Sequence, residues 1–131
     1  MLKYIFGIIV VVGVLFMLND KMMAQGSNPG FMMISQENAK KIMDAEQDYQ
    51  IVDVRNQDEY EQGHIPGATL VPLPSIRELA AKELPQKDRQ LLVYCRSGRR
   101  SKQAAGILVE LGYTNVKEFG GIIDWPYEVV K

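Results

Sequence analysis

The stretch that most narrows the fold is Leu91-Leu92-Val93-Tyr94-Cys95-Arg96-Ser97-Gly98-Arg99-Arg100-Ser101. Leu91 to Cys95 is a short apolar run with polar residues on either side, which reads as a buried strand. Past Ser101 the period of the apolar residues changes. Ala104, Ala105, Ile107, Leu108 and Leu111 recur at helical spacing, and Gly112 stands where such a helix would stop. Cys95 therefore sits at the carboxyl end of a strand, one tight loop away from a helix N-terminus.

The same alternation runs through the rest of residues 31–131. A first strand is expected over 31–34. A helix capped by Ser35 follows to about Ala45, with Ala39, Ile42 and Met43 inward. Residues 50–54 read as a strand buried on both faces. Residues 70–72 form a short strand ended by Pro72, and 75–84 a helix with Ile76, Leu79 and Ala80 inward. A polar connection over 85–90 leads to the Cys95 strand. The last strand is expected over 115–119, a turn at Gly120-Gly121, and a final helical turn over 122–127, with Trp125 in the core and flooring a pocket. Strands alternating with helices imply an α/β fold, a mostly parallel central sheet with helices on both faces. Ligands in such sheets bind at the carboxyl ends of the strands, where Cys95 lies.

Residues 1–24 form a separate unit. Lys3 and the α-amino group make a basic start, and an unbroken apolar stretch runs from Tyr4 to Leu18, ended by Asn19-Asp20-Lys21. This is the outline of a signal peptide or signal anchor. The run is apolar on all faces, unlike a helix of a folded domain. Met22-Met23-Ala24 offers Met where cleavage wants a small residue, so an uncleaved anchor is the preferred reading. The positive flank keeps the N-terminus in the cytoplasm. The domain is then expected on the non-cytoplasmic side of a membrane, or exported. Residues 25–30, Gln-Gly-Ser-Asn-Pro-Gly, have the composition of a linker.

The chain of 131 residues holds one domain plus this appendage. A net charge of −1 gives no argument for a nucleic-acid partner. One cysteine excludes an internal disulfide. One cysteine and one histidine argue against a structural zinc site, and no metal or cofactor is expected.

The loop after Cys95 carries the chemistry. Its amides and the first N–H groups of the helix have no intrahelical partner and can converge on an anion. Gly98 lets the backbone approach closely. A thiol held there is expected to lose its proton readily. Arg96, Arg99 and Arg100 cluster at a helix N-terminus, where each cation is unfavourable by about 0.3–1 kcal/mol. An anion, either the thiolate or a substrate, is the simplest compensation. The three arginines, on this reading, serve the anion as one cluster, and replacing Arg99 and Arg100 leaves folding intact. Cys95 is the candidate nucleophile, and Arg96, Ser97, Gly98, Arg99, Arg100 and Ser101 are the candidate substrate-binding residues. Asp53 and Arg55 are read as a structural pair. His64, within Gly63-His64-Ile65-Pro66-Gly67, is read as fixing a turn.

Four segments together resemble the rhodanese family. Cys95-Arg96-Ser97-Gly98-Arg99-Arg100 is similar to its active-site loop, C-R-x-G-x-R. Ile51-Val52-Asp53-Val54-Arg55 resembles its strand ending in D-x-R. Residues 59–68, Glu-Tyr-Glu-Gln-Gly-His-Ile-Pro-Gly-Ala, resemble E-[YF]-x-x-G-H-I-P-G-A. Gly120-Gly121 with Trp125 resembles its closing G-G-x-x-x-W. The four occur in family order, from about Ile34 to the C-terminus. The resemblance implies a three-layer rhodanese-like domain and a sulfurtransferase that carries sulfane sulfur as a persulfide on Cys95. Its partners would be a small anionic sulfur donor such as thiosulfate and a thiol or protein acceptor. A non-enzymatic, membrane-tethered sulfur carrier or binding module is the alternative. A cysteine-dependent phosphatase or arsenate reductase fits less well. Some phosphatases that resemble this fold place Arg after five intervening residues, where this chain has Ser101.

Overall fold

The structure, a computed structural model, describes residues 30–131. The anchor or signal segment read over 1–24, and the linker read over 25–30 apart from Gly30, lie outside the described residues. In chain order the elements are β1 (Met32–Met33), α1 (Gln36–Ala45), β2 (Tyr49–Asp53), α2 (Gln57–Gln62), β3 (Thr69–Leu70), α3 (Ile76–Glu83), β4 (Gln90–Cys95), α4 (Arg99–Glu110) and β5 (Val116–Gly121). Short 3-10 turns at Leu73–Ser75 and Ile122–Asp124 precede α3 and follow β5.

The strands form one sheet in the order β1-β5-β4-β2-β3, and every neighbouring pair is parallel. β4 is central and buried along its whole length. Successive side chains of a strand point to opposite faces, so β4 serves two layers. Leu91, Val93 and Cys95 pack with Ile76 and Ala80 of α3 and with Ala104, Ala105 and Leu108 of α4. Leu92 and Tyr94 pack on the other face with Ala39 of α1, Ile65, Phe119 and Trp125. β4, read as a buried strand, is buried on both faces because helices or loops cover both.

Several expectations hold at the level of single side chains. The Ser35 hydroxyl accepts from the Asn38 N–H at 3.0 Å and caps α1. Ile76 and Ala80 are the buried positions of α3. Two expectations are corrected. The final helical turn is only Ile122–Asp124, because Pro126 holds the residue before it extended, with Trp125 at φ −73° and ψ 113°. Trp125 is core, tilted against Phe119 and edge-on to Tyr127, but it lies in the layer opposite Cys95 and floors no pocket at the thiol. α2 has no buried residue and hence no apolar stripe to reveal it. Its signal was the capping box, with the Asn56 side chain accepting from the Glu59 N–H at 2.8 Å and Glu59 accepting from the Asn56 N–H at 3.2 Å.

Between β4 and β5 the register slips. Val93 pairs with Glu118, but two residues later Cys95 pairs with Gly121, so β5 carries one extra residue. Gly120, at φ +93°, takes up the bend. This bulge seats the end of β5 against the loop that follows Cys95.

Candidate active site

Cys95 is the last residue of β4 and is fully buried. Three residues on, Gly98 adopts φ +106° and ψ −15° and caps α4. That left-handed conformation disfavours any residue with a side chain. It turns the Gly98 N–H onto Sγ of Cys95 at 3.0 Å. The Ser101 hydroxyl lies 3.4 Å from the same sulfur. Burial pushes the thiol pKa up, but the Ser101 hydroxyl and the N–H groups of Ser101, Gly98 and Ser97 more than offset it, so the thiol titrates below its ordinary value. The loop is thus an anion cradle made of backbone N–H groups and the Ser101 hydroxyl.

Ser101 is fully buried. Its hydroxyl faces the Gly98 carbonyl at 3.0 Å and the Glu118 carboxylate at 2.5 Å. Glu118, 2% exposed, also accepts from the Gly120 N–H at 2.9 Å and lies 3.5 Å from Nζ of Lys102. Sequence reasoning passed over Glu118. Its signal was a carboxylate two residues from Val116 on a short strand, on the face where period 2 calls for core.

The three arginines part company. Arg96 and Arg99 are exposed. Arg100 is half-buried and chelates Glu59 through two bonds of 2.7 and 2.9 Å. That pairing holds the Glu59 carboxyl at about 2, with the hydrogen bond from Arg100 as its main cause, and raises the Arg100 pKa. Beside the loop a cleft of about 310 Å³ is lined by residues that include Arg55, Glu59, Gln62, Arg96, Ile123 and Val129.

The remaining candidates are engaged in the scaffold. Asp53 is fully buried and takes the Arg55 guanidinium at 2.7 Å and the Tyr94 hydroxyl at 2.6 Å. Arg55 also donates to the Gly63 carbonyl at 2.7 Å, and the Tyr94 oxygen accepts from the Ile65 N–H at 3.0 Å. Burial, with Asp53 beside it, pushes the Tyr94 phenol far above its ordinary value. Asp53, Arg55 and Tyr94 thus tie β2 and β4 to the 63–65 turn. His64 stacks on Tyr60 with centroids 3.8 Å apart, and its Nδ1–H donates to the Tyr60 carbonyl at 2.9 Å. Its backbone bridges to Val130. Both the Asp53–Arg55 pair and His64 do the structural work expected of them. Among the described residues no group of three or more His, Cys, Asp or Glu could hold a metal ion.

The rhodanese-like domain family matches residues 35–126. The chain belongs to the rhodanese family. This rhodanese is 42% identical over 80 residues to the thiosulfate sulfurtransferase PspE of Escherichia coli (strain K12), covering 61% of this chain and 77% of PspE. It is 41% identical over 92 residues to a sulfurtransferase of Allochromatium vinosum, covering 70% and 83%. A solved E. coli rhodanese with anions superposes with a TM-score of 0.60 at 41% identity, over 63% of this chain and 98% of that one. The chain is a rhodanese-type sulfurtransferase.

Proposed function

We propose that this rhodanese moves sulfane sulfur from thiosulfate, or a related anionic donor, to a thiophilic acceptor through a persulfide on Cys95. The observation that carries the reading is the Cys95 sulfur held by the Gly98 N–H at 3.0 Å inside a loop that lowers its pKa. The Cys95 thiolate attacks the outer sulfur of thiosulfate. The S–S bond of the donor breaks, and sulfite leaves with the bonding pair. The new terminal sulfur carries the negative charge in a cradle of N–H groups that suits an anion in either state. An acceptor such as cyanide or a thiol then takes that sulfur and returns the thiolate, a displacement like thiol–disulfide exchange. Arg96 and Arg99, exposed on the loop, draw the dianion in and stabilise departing sulfite. The cleft that Arg96 shares with Ile123 and Val129 gives the acceptor a partly apolar approach. A phosphatase is disfavoured because the position after five intervening residues is Ser101, whose hydroxyl is turned into the protein toward Glu118.

The test is mass spectrometry after thiosulfate treatment. One added sulfur atom on Cys95 is expected, and none in Cys95→Ser. An unmodified cysteine under a panel of sulfane donors would overturn the reading. We further propose that residues 1–24 tether the domain to a membrane on its non-cytoplasmic side. The support for this is the apolar run from Tyr4 to Leu18 behind the basic start at Lys3.

A further inference from the structure

We propose that Cys95, Ser101 and Glu118 share one proton, with Glu118 receiving the thiol proton through the Ser101 hydroxyl. The inference rests on Cys95 being the reacting thiol and adds a positioning residue, Glu118, that acts on it through Ser101.

The geometry is a buried chain of three groups. Sγ of Cys95 is 3.4 Å from Oγ of Ser101, and Oγ is 2.5 Å from Oε2 of Glu118. Cys95 and Ser101 are fully buried and Glu118 is 2% exposed. Ser101 has a single hydroxyl proton and cannot donate to the sulfur and the carboxylate at once. Two arrangements satisfy all three atoms. In the first, the thiol S–H donates to Ser101 Oγ and the Ser101 O–H donates to the Glu118 carboxylate. In the second, the S–H bond has broken and its proton is bonded to Ser101 Oγ. The proton Ser101 held before is then bonded to Glu118 Oε2. A thiolate now accepts from the Ser101 O–H, and a carboxylic acid donates to Ser101 Oγ. Both arrangements carry one negative charge, so no second anion is created in the buried layer, which is the costly alternative.

The surroundings set the balance between the two. The Gly120 N–H at 2.9 Å and Lys102 Nζ at 3.5 Å favour the carboxylate on Glu118. The Gly98 N–H at 3.0 Å favours the thiolate on Cys95. Arg100 of α4 also favours the thiolate electrostatically, although its guanidinium is bonded to Glu59 of α2. Asp53 and Arg55 at the end of β2 neutralise each other, and Lys117, on the strand face opposite Glu118, bonds Gln90. Gln36, the α1 side chain at this end of β5, is neutral and donates to the Gly121 carbonyl. Among the described residues Glu118 is therefore the one carboxylate bonded to the thiol's own hydrogen-bond partner.

An isolated thiol has a thiolate fraction that falls about tenfold for each pH unit below its pKa. A thiol that shares its proton with Glu118 keeps a thiolate fraction that does not change with pH until the pair takes up a second proton. The full-length protein is alkylated with iodoacetamide, a neutral probe, and the rate on Cys95 is followed against pH. The wild type is expected to show a pH-independent limb on the acid side of its main step. Glu118→Gln keeps acceptors for Ser101 and Gly120 but cannot take the proton, and is expected to lose that limb and fall about tenfold per unit. Ser101→Ala, which cuts the chain and leaves Glu118 in place, is expected to lose it as well. Infrared difference spectra of the wild type, before and after alkylation, should show loss of a carboxylic acid carbonyl band that 13C-labelled Glu shifts. A wild-type profile with one step that superposes on that of either folded variant would overturn the proposal. So would the absence of that infrared band, even if neither variant folds. Persulfide formation by the wild type is read separately, so failure of the shared proton leaves the sulfurtransferase reading standing.

Discussion

Gly121, the last residue of β5, lies so close to the peptide after Cys95 that a Cβ on it would overlap the Arg96 carbonyl and stand 2.5 Å from the Ser97 nitrogen. The obstacle is backbone, which cannot rotate away. The Arg96 carbonyl is also held by the Ile123 N–H at 3.1 Å. The turn after β5 thus forms one wall of the cysteine loop.

Gly121→Ala is therefore expected to push the loop off its seat. Overpacking of this kind costs about 1–3 kcal/mol. Because the Ser97, Gly98 and Ser101 N–H groups lower the Cys95 pKa, their displacement should raise the alkylation midpoint. A calorimetric melt and a pH–alkylation profile check both effects. A variant with an unchanged midpoint would show that the wall is not needed.

Cys95→Ser should abolish sulfur transfer from thiosulfate to cyanide while the fold persists, since the replacement changes one buried atom. Circular dichroism and a thiocyanate assay measure the two independently.

The Glu59–Arg100 pair gives a pH dependence of definite sign. The folded-state value for Glu59 is about 2, below its ordinary 4.5. A depressed carboxylate contributes stability that is fully present above the unfolded value and lost as pH falls through the folded one. The difference in unfolding free energy between wild type and Glu59→Gln should be largest above about pH 4.5 and vanish toward pH 2. Its plateau is about 1 kcal/mol, because both side chains are partly exposed. Urea titrations across that range test it.

Arg99 and Arg100 should separate on mutation. Arg99→Ala should raise the KM for thiosulfate and leave the melting temperature unchanged, since Arg99 is exposed. Arg100→Ala should cost about 1 kcal/mol of stability, because it strands Glu59 beside the loop. Reading the arginines as one cluster with no part in folding is revised on this point. Arg100 finds its carboxylate 41 residues away in sequence.

If residues 1–24 tether the domain, full-length protein should sediment with membranes and be digested by protease added outside intact cells. Protein starting at Ser27 and lacking the segment should stay soluble. Full-length protein found only in the soluble cytoplasm would defeat the tether.

Most of the fold was legible because its signals are local. The switch from an apolar run to helical spacing around Cys95 located β4 and α4. Ser35 and the spacing of Ala39, Ile42 and Met43 located α1. α2 was missed because a six-residue helix with no buried residue leaves no periodicity to read, only the Asn56–Glu59 capping box. The last turn ends at Asp124, short of the expected 127, because Pro126 holds Trp125 extended, an effect of one residue on its neighbour that apolar spacing does not carry.

For the site, residue types along the chain suffice to name the candidate nucleophile and its cradle. A cysteine between a strand and a helix, with Gly98 in the loop, dictates that N–H groups converge on sulfur, because the unpaired donors of a helix start are a property of the backbone. Charge pairing is different. Arg100 meets Glu59, Ser101 meets Glu118, and Gly121 meets Arg96 only because a parallel sheet ordered β1-β5-β4-β2-β3 brings the ends of β2, β4 and β5 together. Those partners are 41, 17 and 25 residues apart in sequence. No local pattern selects one carboxylate over another at such distances, so which arginine is tied to a carboxylate, and which acid shares in the thiol's hydrogen bonds, was decided by tertiary packing.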